Sequence, residues 1–490
     1  MNASHYQMAV YEHLANATGN AAVIAVAGSG KTTTAIEGIG HVPAGNTVLL
    51  GAFNTSIRDE FRDRGGKKGY KDVTYVNYNG FGWGLCLRHL RSKPELDRDK
   101  TKKIMEFVVF KPQDEESTIR MWKWMPTVER LVGLFKSLAL MTPDLADQKY
   151  DEILDHYNIE EPEGRNFRQC VLDVFKASIA HQAHYDFDDQ KFMPIYFDMP
   201  VPRYDTVILD EFQDTCPIEL MLMTRAGGQI CGLGDPDQAI YGFKGATPDA
   251  FAKYIRDFDA KELPLSICYR CPKSVVKAAQ EIVPRIEWAP GAPEGTVGYR
   301  RHQEFEDGVQ DRDFVLCRTT EPLVKAQIRF TRLGRKSKVR GRDFSAVLTG
   351  LINRVSKSNG GMPIADFITA LLDYQIARTE QLTNLRRERE IESLEDRCAT
   401  IRALADNTTR VSDVHDRMKE VFTDSPHNGI DLMTVHRSKG LQTKNVWILR
   451  PDLLPHPRSK SRAWMMAEEQ RLKYVAITRS EEALFWVNPK

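Results

Sequence analysis

The sequence predicts an α/β fold of two parallel-sheet domains, each interrupted by a mainly helical insertion. Three observations carry that expectation. An apolar run at 21–27 opens into a Gly-rich turn and then a helical pattern from Lys31. Further short apolar runs at 48–53, 73–76, 207–209 and 229–233 read as buried strands. A second series of such runs begins near Leu263.

In chain order, the first three runs and their intervening helices build one half of a sheet. From about 85 to 180 the chain becomes charged and rich in helix formers, with Trp122, Trp124 and Phe135 at helical spacings. That stretch reads as an inserted helical subdomain, after which the runs at 207–209 and 229–233 complete the first domain. The expected division is 1–84 with 181–262 for the first domain and 85–180 for its insertion. Candidate strands at 295–299, 314–317, 432–435, 446–449 and 484–487 place the second domain at 263–344 and 428–490. Its insertion, 345–427, carries Leu382, Leu385, Leu394, Ile401 and Leu404 on one apolar stripe, and 356–363 reads as a loop.

Composition narrows the function classes. At roughly 150 residues per domain, 490 residues suggest about three domains. Apolar residues at 42% and charged residues at 28% are ordinary for a globular protein. With 68 basic against 67 acidic side chains the net charge is +1, which excludes a charged disordered tail or a polycation. It does not exclude a nucleic-acid partner, because a sum says nothing about where charges sit. No run approaches the roughly 18 apolar residues of a membrane span. The first 14 residues lack an apolar stretch, so neither a signal peptide nor a membrane partner is expected, and the setting reads as intracellular: cytoplasm or nucleoid, or a nucleus. Among eight cysteines only Cys268 and Cys271 form a Cys-x-x-Cys, and no second pair lies near. Neither a metal nor a redox role is expected of them.

Gly28-Ser29-Gly30-Lys31-Thr32, with Ala25 in the first position, fits the phosphate-binding loop pattern between a strand and a helix. Glycines let backbone N–H groups wrap phosphate oxygens, and the helix N-terminus adds the positive end of its dipole. Lys31 would reach the β/γ-phosphates, and the Thr32 hydroxyl would hold Mg²⁺. The run 207–209 ends in Asp210-Glu211. Asp210 suits Mg²⁺, and Glu211 suits the water that attacks the phosphate. Together the two motifs point to an NTPase.

Longer strings surround these motifs. Asp210-Glu211-Phe212-Gln213-Asp214-Thr215 is followed by Gly234-Asp235-Pro236-Asp237-Gln238-Ala239-Ile240-Tyr241-Gly242-Phe243. Thr434-Val435-His436-Arg437-Ser438-Lys439-Gly440-Leu441 comes next, then a run from Glu469 to Arg479. In this order they resemble superfamily 1 helicases of the UvrD/Rep type over nearly the whole chain. Asp186-Phe187-Asp188-Asp189 resembles the F-box-containing branch of those helicases.

The resemblance implies two RecA-like domains with ATP and Mg²⁺ bound between them, and single-stranded DNA lying across both. By matched motif, Gln7 reads adenine and Gln238 senses the γ-phosphate. Tyr269 stacks on adenine, Arg270 contacts the γ-phosphate, and Arg479 is the arginine finger. Gly28, Ser29, Gly30, Lys31, Thr32 and Thr33 line the phosphate loop, and Gln442 stands at the ribose. Phe53, Asn54, Asn79, Tyr241, Phe243, His436 and Arg437 fall at positions facing DNA, where aromatic stacking is worth roughly 1–3 kcal/mol per base.

Several positions depart from the family pattern. Asn79 stands where a Thr-x-His motif is usual, Phe243 where many members have Trp, Thr33 where many have Arg, and Gln442 where many have Glu. The run 329–343 holds seven basic side chains and one acidic, and reads either as a phosphate-contacting surface or as a solvated turn. The second insertion is small for the family. The expected activity is an ATP-dependent, 3′-to-5′ helicase on single-stranded and tailed duplex DNA. It would act as a monomer alongside a recombination, repair or replication protein. The alternatives are a translocase that strips DNA-bound proteins, or the ATPase subunit of a nuclease-containing assembly.

Overall fold

The computed structural model describes residues 3–16, 19–157, 159, 161–162, 164–240, 250–384, 388–422, 428–461 and 463–488. The chain divides into two compact units, Met1–Ser266 and Ile267–Lys490. Among the described residues no helix is long and apolar enough to cross a membrane.

The first unit is organised by strands β1 (Ala21–Ala25), β2 (Val48–Ala52), β3 (Val73–Asn77), β4 (Thr206–Leu209), β5 (Gln229–Gly234) and β6 (Lys261–Leu265). They form one parallel sheet in the order β3-β2-β4-β5-β1-β6. β2, β4 and β5 are buried along their whole length and β1 at all but one position, which is why each reads as a near-continuous apolar run. β6 is different. It pairs with β1, setting Leu263 opposite Val23 and Leu265 opposite Ala25. The first sheet therefore extends past position 262, and Leu263 to Leu265 belong to it. As an edge strand, β6 buries only Leu263 and Leu265 and carries Pro264, so its pattern is too sparse to read as a sheet member.

Helices α1 (His5–Asn16), α2 (Lys31–Ile39), α3 (Thr55–Lys67) and α4 (Tyr78–His89) accompany the first three strands. The stretch that follows is helical, led by α5 (Glu115–Ser137) and α6 (Phe167–Ala180), before α7 (Asp189–Tyr196). α5 starts at a capping box in which the Asp114 side chain accepts from Ser117 N at 2.7 Å. It buries Met121, Trp124, Val128, Leu131 and Phe135 at helical spacing, whereas Trp122 is 47% exposed.

Beneath α5 lies a buried ionic cluster. Lys136 Nζ pairs with Asp186 Oδ2 at 2.9 Å and Asp189 Oδ1 at 2.8 Å, and Lys100 Nζ pairs with Asp189 Oδ2 at 2.7 Å. Burial works against the charge on Lys136, but Asp186 and Asp189 outweigh it and raise its pKa. Burial likewise opposes ionisation of Asp186, yet Lys136 holds its carboxyl down at about 2. The Asp186–Asp189 segment is thereby fastened between the inserted helices and the first sheet's α7.

The second unit carries β7 (Thr296–Arg300), β8 (Phe314–Cys317), β9 (Ser337–Val339), β10 (Ile430–Thr434), β11 (Thr443–Leu449) and β12 (Ser480–Val487). They too are parallel, in the order β7-β12-β11-β8-β10-β9. β9 has no sequence signature, being three residues of the basic run. Helices α8 (Lys273–Gln280), α9 (Glu321–Arg332), α10 (Ile364–Asn384), α11 (Glu388–Ala405) and α12 (Ala463–Ile477) flank this sheet or extend from it. Leu382, Leu394, Ile401 and Leu404 are buried as the apolar stripe requires; Leu385 lies outside the described residues.

The basic run is largely consumed by the fold. Arg340 makes paired 2.9 Å bonds to Asp431, and Arg335 donates to the backbone carbonyls of Glu306 and Val309. Lys338 donates to the Glu420 carbonyl, while Arg329 and Arg332 pair with Glu306 and Asp406 at 3.3 Å each. A second ionic cluster joins α11 to α12: Arg318 Nη2 meets Glu392 at 2.6 Å and Glu469 at 2.7 Å.

Candidate functional site

The phosphate loop follows β1 and ends at α2. Gly28 at φ 67° and Gly30 at φ 81° take left-handed backbone that a side chain would strain. Lys31 is the first residue of α2, and its Nζ lies 3.6 Å from Glu211 Oε1. Ser29 is buried in the loop, Thr32 is half-buried on the first turn, and Thr33 is exposed. Gln7 of α1 is buried beside the loop. Its Nε2 donates to Thr34 Oγ1 at 3.1 Å and stands 3.7 Å from where a Cβ on Gly30 would be.

Asp210 and Glu211 leave the end of β4. Asp210 is 1% exposed, and its Oδ1 has no hydrogen-bond partner. Burial, then the neighbouring Glu211, push its carboxyl up to about 7. A buried carboxylate oxygen left unsatisfied beside a threonine-bearing phosphate loop is the donor set a hard divalent cation takes. Glu211 sits at φ 51°, an unusual backbone for a residue other than glycine.

Gln238 connects to this edge through residues to which the sequence assigns no role. Gln213 Nε2 donates to Glu211 Oε2 at 2.5 Å, and Gln213 Oε1 accepts from Asp235 N at 3.0 Å. Asp235 Oδ2 in turn accepts from Gln238 Nε2 at 2.8 Å. One polar chain thus runs from Lys31 across the ends of β4 and β5 to Gln238. Carboxyl ends of parallel strands are where such folds bind ligands. A second unforeseen contact is Arg64 of α3, whose Nη2 donates to Thr33 Oγ1 at 3.0 Å. A guanidinium reaches Thr33 from another helix, although the sequence has no arginine beside it.

In the second unit, Arg270 Nη1 donates to the Thr478 carbonyl at 3.0 Å. Arg479 is 1% exposed, donating from Nε to Val475 O at 2.9 Å and from Nη1 to Leu441 O at 3.1 Å. Tyr269 is 39% exposed. Gln442 is exposed and donates to Glu481 Oε1 at 2.7 Å.

The residues expected to face DNA are placed unevenly. Asn54 is exposed, and its Oδ1 caps α3 by accepting from Ile57 N at 2.9 Å; Phe53 beside it is half-buried. Asn79 Nδ2 donates to the Phe187 carbonyl at 2.6 Å, joining α4 to the fastened Asp186–Asp189 segment. His436 and Arg437 are half-buried in a turn after β10, with Arg437 paired to Asp343. Tyr241 and Phe243 lie outside the described residues.

The model of the UvrD-like helicase C-terminal domain matches residues 97–488. The chain is 22% identical to the ATP-dependent DNA helicase PcrA of Staphylococcus epidermidis, over 95% of this chain and 81% of that protein. It is 23% identical to the ATP-dependent DNA helicase PcrA of Staphylococcus aureus, over 99% and 83%. A solved Arterivirus nonstructural protein 10 helicase aligns with 98% of this chain and 61% of its own length, at 11% identity and a TM-score of 0.35. With four-fifths of its length inside one family's domain, the chain belongs to the UvrD-like helicases of superfamily 1.

Proposed function

We propose that this chain is an ATP-driven motor that moves 3′ to 5′ along single-stranded DNA and unwinds tailed duplexes. The observation that carries the reading is the polar chain from Lys31 through Glu211, Gln213 and Asp235 to Gln238. The names of the staphylococcal relatives, each an ATP-dependent DNA helicase, support it.

In this reading the backbone of Gly28 to Thr33 wraps the phosphates and Gln7 holds the adenine. Lys31 exchanges its carboxylate partner Glu211 for the β/γ-phosphates. That frees Glu211 to accept the proton of the attacking water, with Gln213 fixing its second oxygen. Thr32 and Asp210 would hold Mg²⁺, which when bound neutralises phosphate charge. Gln238, steadied by Asp235, reports on the γ-phosphate. Tyr269 stacks on adenine and Gln442 meets the ribose. Arg270 and Arg479, both on the second unit, supply positive charge to the transferring phosphoryl, a contribution of about 10³–10⁵ in rate. Arg479 leaves the Val475 and Leu441 carbonyls to do so. ATP turnover is thereby tied to closure of the two units, and DNA held by Phe53, Asn54, Asn79, Tyr241, Phe243, His436 and Arg437 is advanced. The motor works inside the cell as a monomer beside a recombination, repair or replication protein.

The test is ATPase rate with and without single-stranded DNA, run beside strand separation on 3′- and 5′-tailed duplexes. Strong stimulation by DNA and unwinding of the 3′-tailed substrate are expected. An ATPase indifferent to DNA would sink the motor reading. Rapid displacement of a DNA-bound protein with both duplexes intact would replace unwinding by protein stripping.

A further inference from the structure

The second unit holds a pair of thiols for which ATP turnover has no use. Cys268 ends the short strand Ile267–Cys268, and Cys271 follows in the turn before α8, whose start is capped by Pro272. Both are free and buried, at 0% and 3% exposure. The Cys271 N–H donates to Cys268 Sγ at 3.4 Å. That bond folds the four residues into one turn and brings the two cysteines together across it.

The thiols are also chemically unequal. The Cys271 hydrogen bond draws Cys268 down to about 7, and the same bond raises Cys271. Burial raises the other six, Cys86, Cys170, Cys216, Cys231, Cys317 and Cys398. A thiol drawn toward its thiolate, with a second cysteine in the same four-residue turn, is the pairing that thiol–disulfide chemistry uses.

Position gives the pair its consequence. Tyr269 and Arg270 are the two residues between the cysteines. Cys271 Sγ contacts the Thr478 carbonyl at 3.7 Å, the same oxygen that accepts from Arg270 Nη1 at 3.0 Å. The next residue is Arg479. Drawing Cys271 Sγ toward Cys268 removes one contact from that carbonyl and tightens the turn carrying Arg270.

We propose that Cys268 and Cys271 are a redox-active dithiol, closed to a disulfide by a peroxide, and that closure slows ATP turnover by displacing Arg270 and the Thr478–Arg479 segment. The second half rests on the phosphate-facing roles given to Arg270 and Arg479 above. In the chemistry, Cys268 thiolate attacks one peroxide oxygen, breaking the O–O bond to give a sulfenic acid and water. Cys271 sulfur then attacks the sulfenic sulfur and expels a second water. Two thiols lose two electrons and two protons, and the peroxide is reduced to two waters.

The experiment exposes the purified full chain to hydrogen peroxide, then alkylates it under denaturing conditions and maps every cysteine by peptide mass spectrometry. ATPase is measured on the same samples before and after dithiothreitol. The peptide holding Cys268 and Cys271 should escape alkylation and be lighter by two hydrogens, while the other six cysteines take the label. Turnover should fall about tenfold, the size of an oriented hydrogen bond lost at the arginines, and recover with dithiothreitol. Cys268→Ser and Cys271→Ser proteins should turn over ATP in peroxide at their reduced rate. Alkylated thiols at both positions after peroxide would overturn the dithiol, and a disulfide with unchanged turnover would overturn its hold on the arginines. Should the reduced protein lack ATPase altogether, the motor reading fails, and the cysteine map still decides the dithiol.

Discussion

Lys31 Nζ stands 3.6 Å from Glu211 Oε1, joining the first residue of α2 to the residue after Asp210 at the end of β4. Both side chains are only partly exposed, at 12% and 27%, so the pair is held by its surroundings and is not a chance surface contact. In the proposed reaction Lys31 binds phosphate and Glu211 takes the water proton, and the ion pair holds both in place until nucleotide arrives. Lys31→Ala should lower ATP hydrolysis by about 10²–10³-fold, the cost of removing one oriented charge from a phosphoryl-transfer site. DNA binding, measured by fluorescence anisotropy, should stay within severalfold. Hydrolysis at the wild-type rate would show that the phosphate loop is misassigned.

Glu211→Gln separates proton transfer from binding. The amide keeps the shape and can still accept from Gln213, but it cannot take a proton. ATP turnover should fall about 10²–10⁴-fold with nucleotide affinity retained. Equal losses in turnover and affinity would make Glu211 a structural partner of Lys31 only.

Gln213 tests the polar chain. Its amide donates to Glu211 and accepts from Asp235 N, and both contacts are short. Gln213→Ala leaves a buried N–H without a partner, worth about 1–3 kcal/mol. Gln213→Glu adds a carboxylate next to Glu211 and Asp214, so turnover should drop further in Glu than in Ala. The reverse order, in steady-state kinetics, would remove Gln213 from the site.

Lys136 is 1% exposed and shares its charge between Asp186 and Asp189. Lys136→Met strands two buried carboxylates with Lys100 as their remaining cation. Breaking a buried pair in this way costs about 3–5 kcal/mol, which a urea melt will read directly. A variant as stable as the parent would show that the cluster is dispensable.

His456 sets a pH dependence. Burial, then the nearby Arg318, lower its pKa from 6.5 to about 4. A histidine depressed on folding contributes stability above its unfolded pKa and loses it as pH falls through the folded one. The melting temperature should therefore decline between pH 6.5 and about 4. His456→Gln should flatten that decline, and an identical slope in both proteins would assign the acid sensitivity to other groups.

Much of the candidate site was legible because a phosphate-loop pattern is one contiguous stretch of backbone. Its glycines, lysine and threonine need only a strand before and a helix after, and all of these lie between Ala21 and Ile39. Strands buried on both faces were equally plain, since every position is apolar. The edge strand β6 was not, because three of its five residues are exposed. The basic run left two readings open for the opposite reason. Its charge is real, but Arg340 spends it on Asp431, 91 positions away.

Apolar rhythm by itself determined the two-sheet fold class, and the order of motifs, by resemblance, the family. Those properties are local, and local spacing is what a sequence records. Only the tertiary structure decided that Gln213 links Glu211 to Asp235, that Arg64 reaches Thr33, and that Arg270 and Cys271 share the carbonyl of Thr478. The last of these joins residues 208 and 207 positions apart. Such contacts depend on which loops parallel strands bring to a common edge, and no periodicity in the chain encodes that.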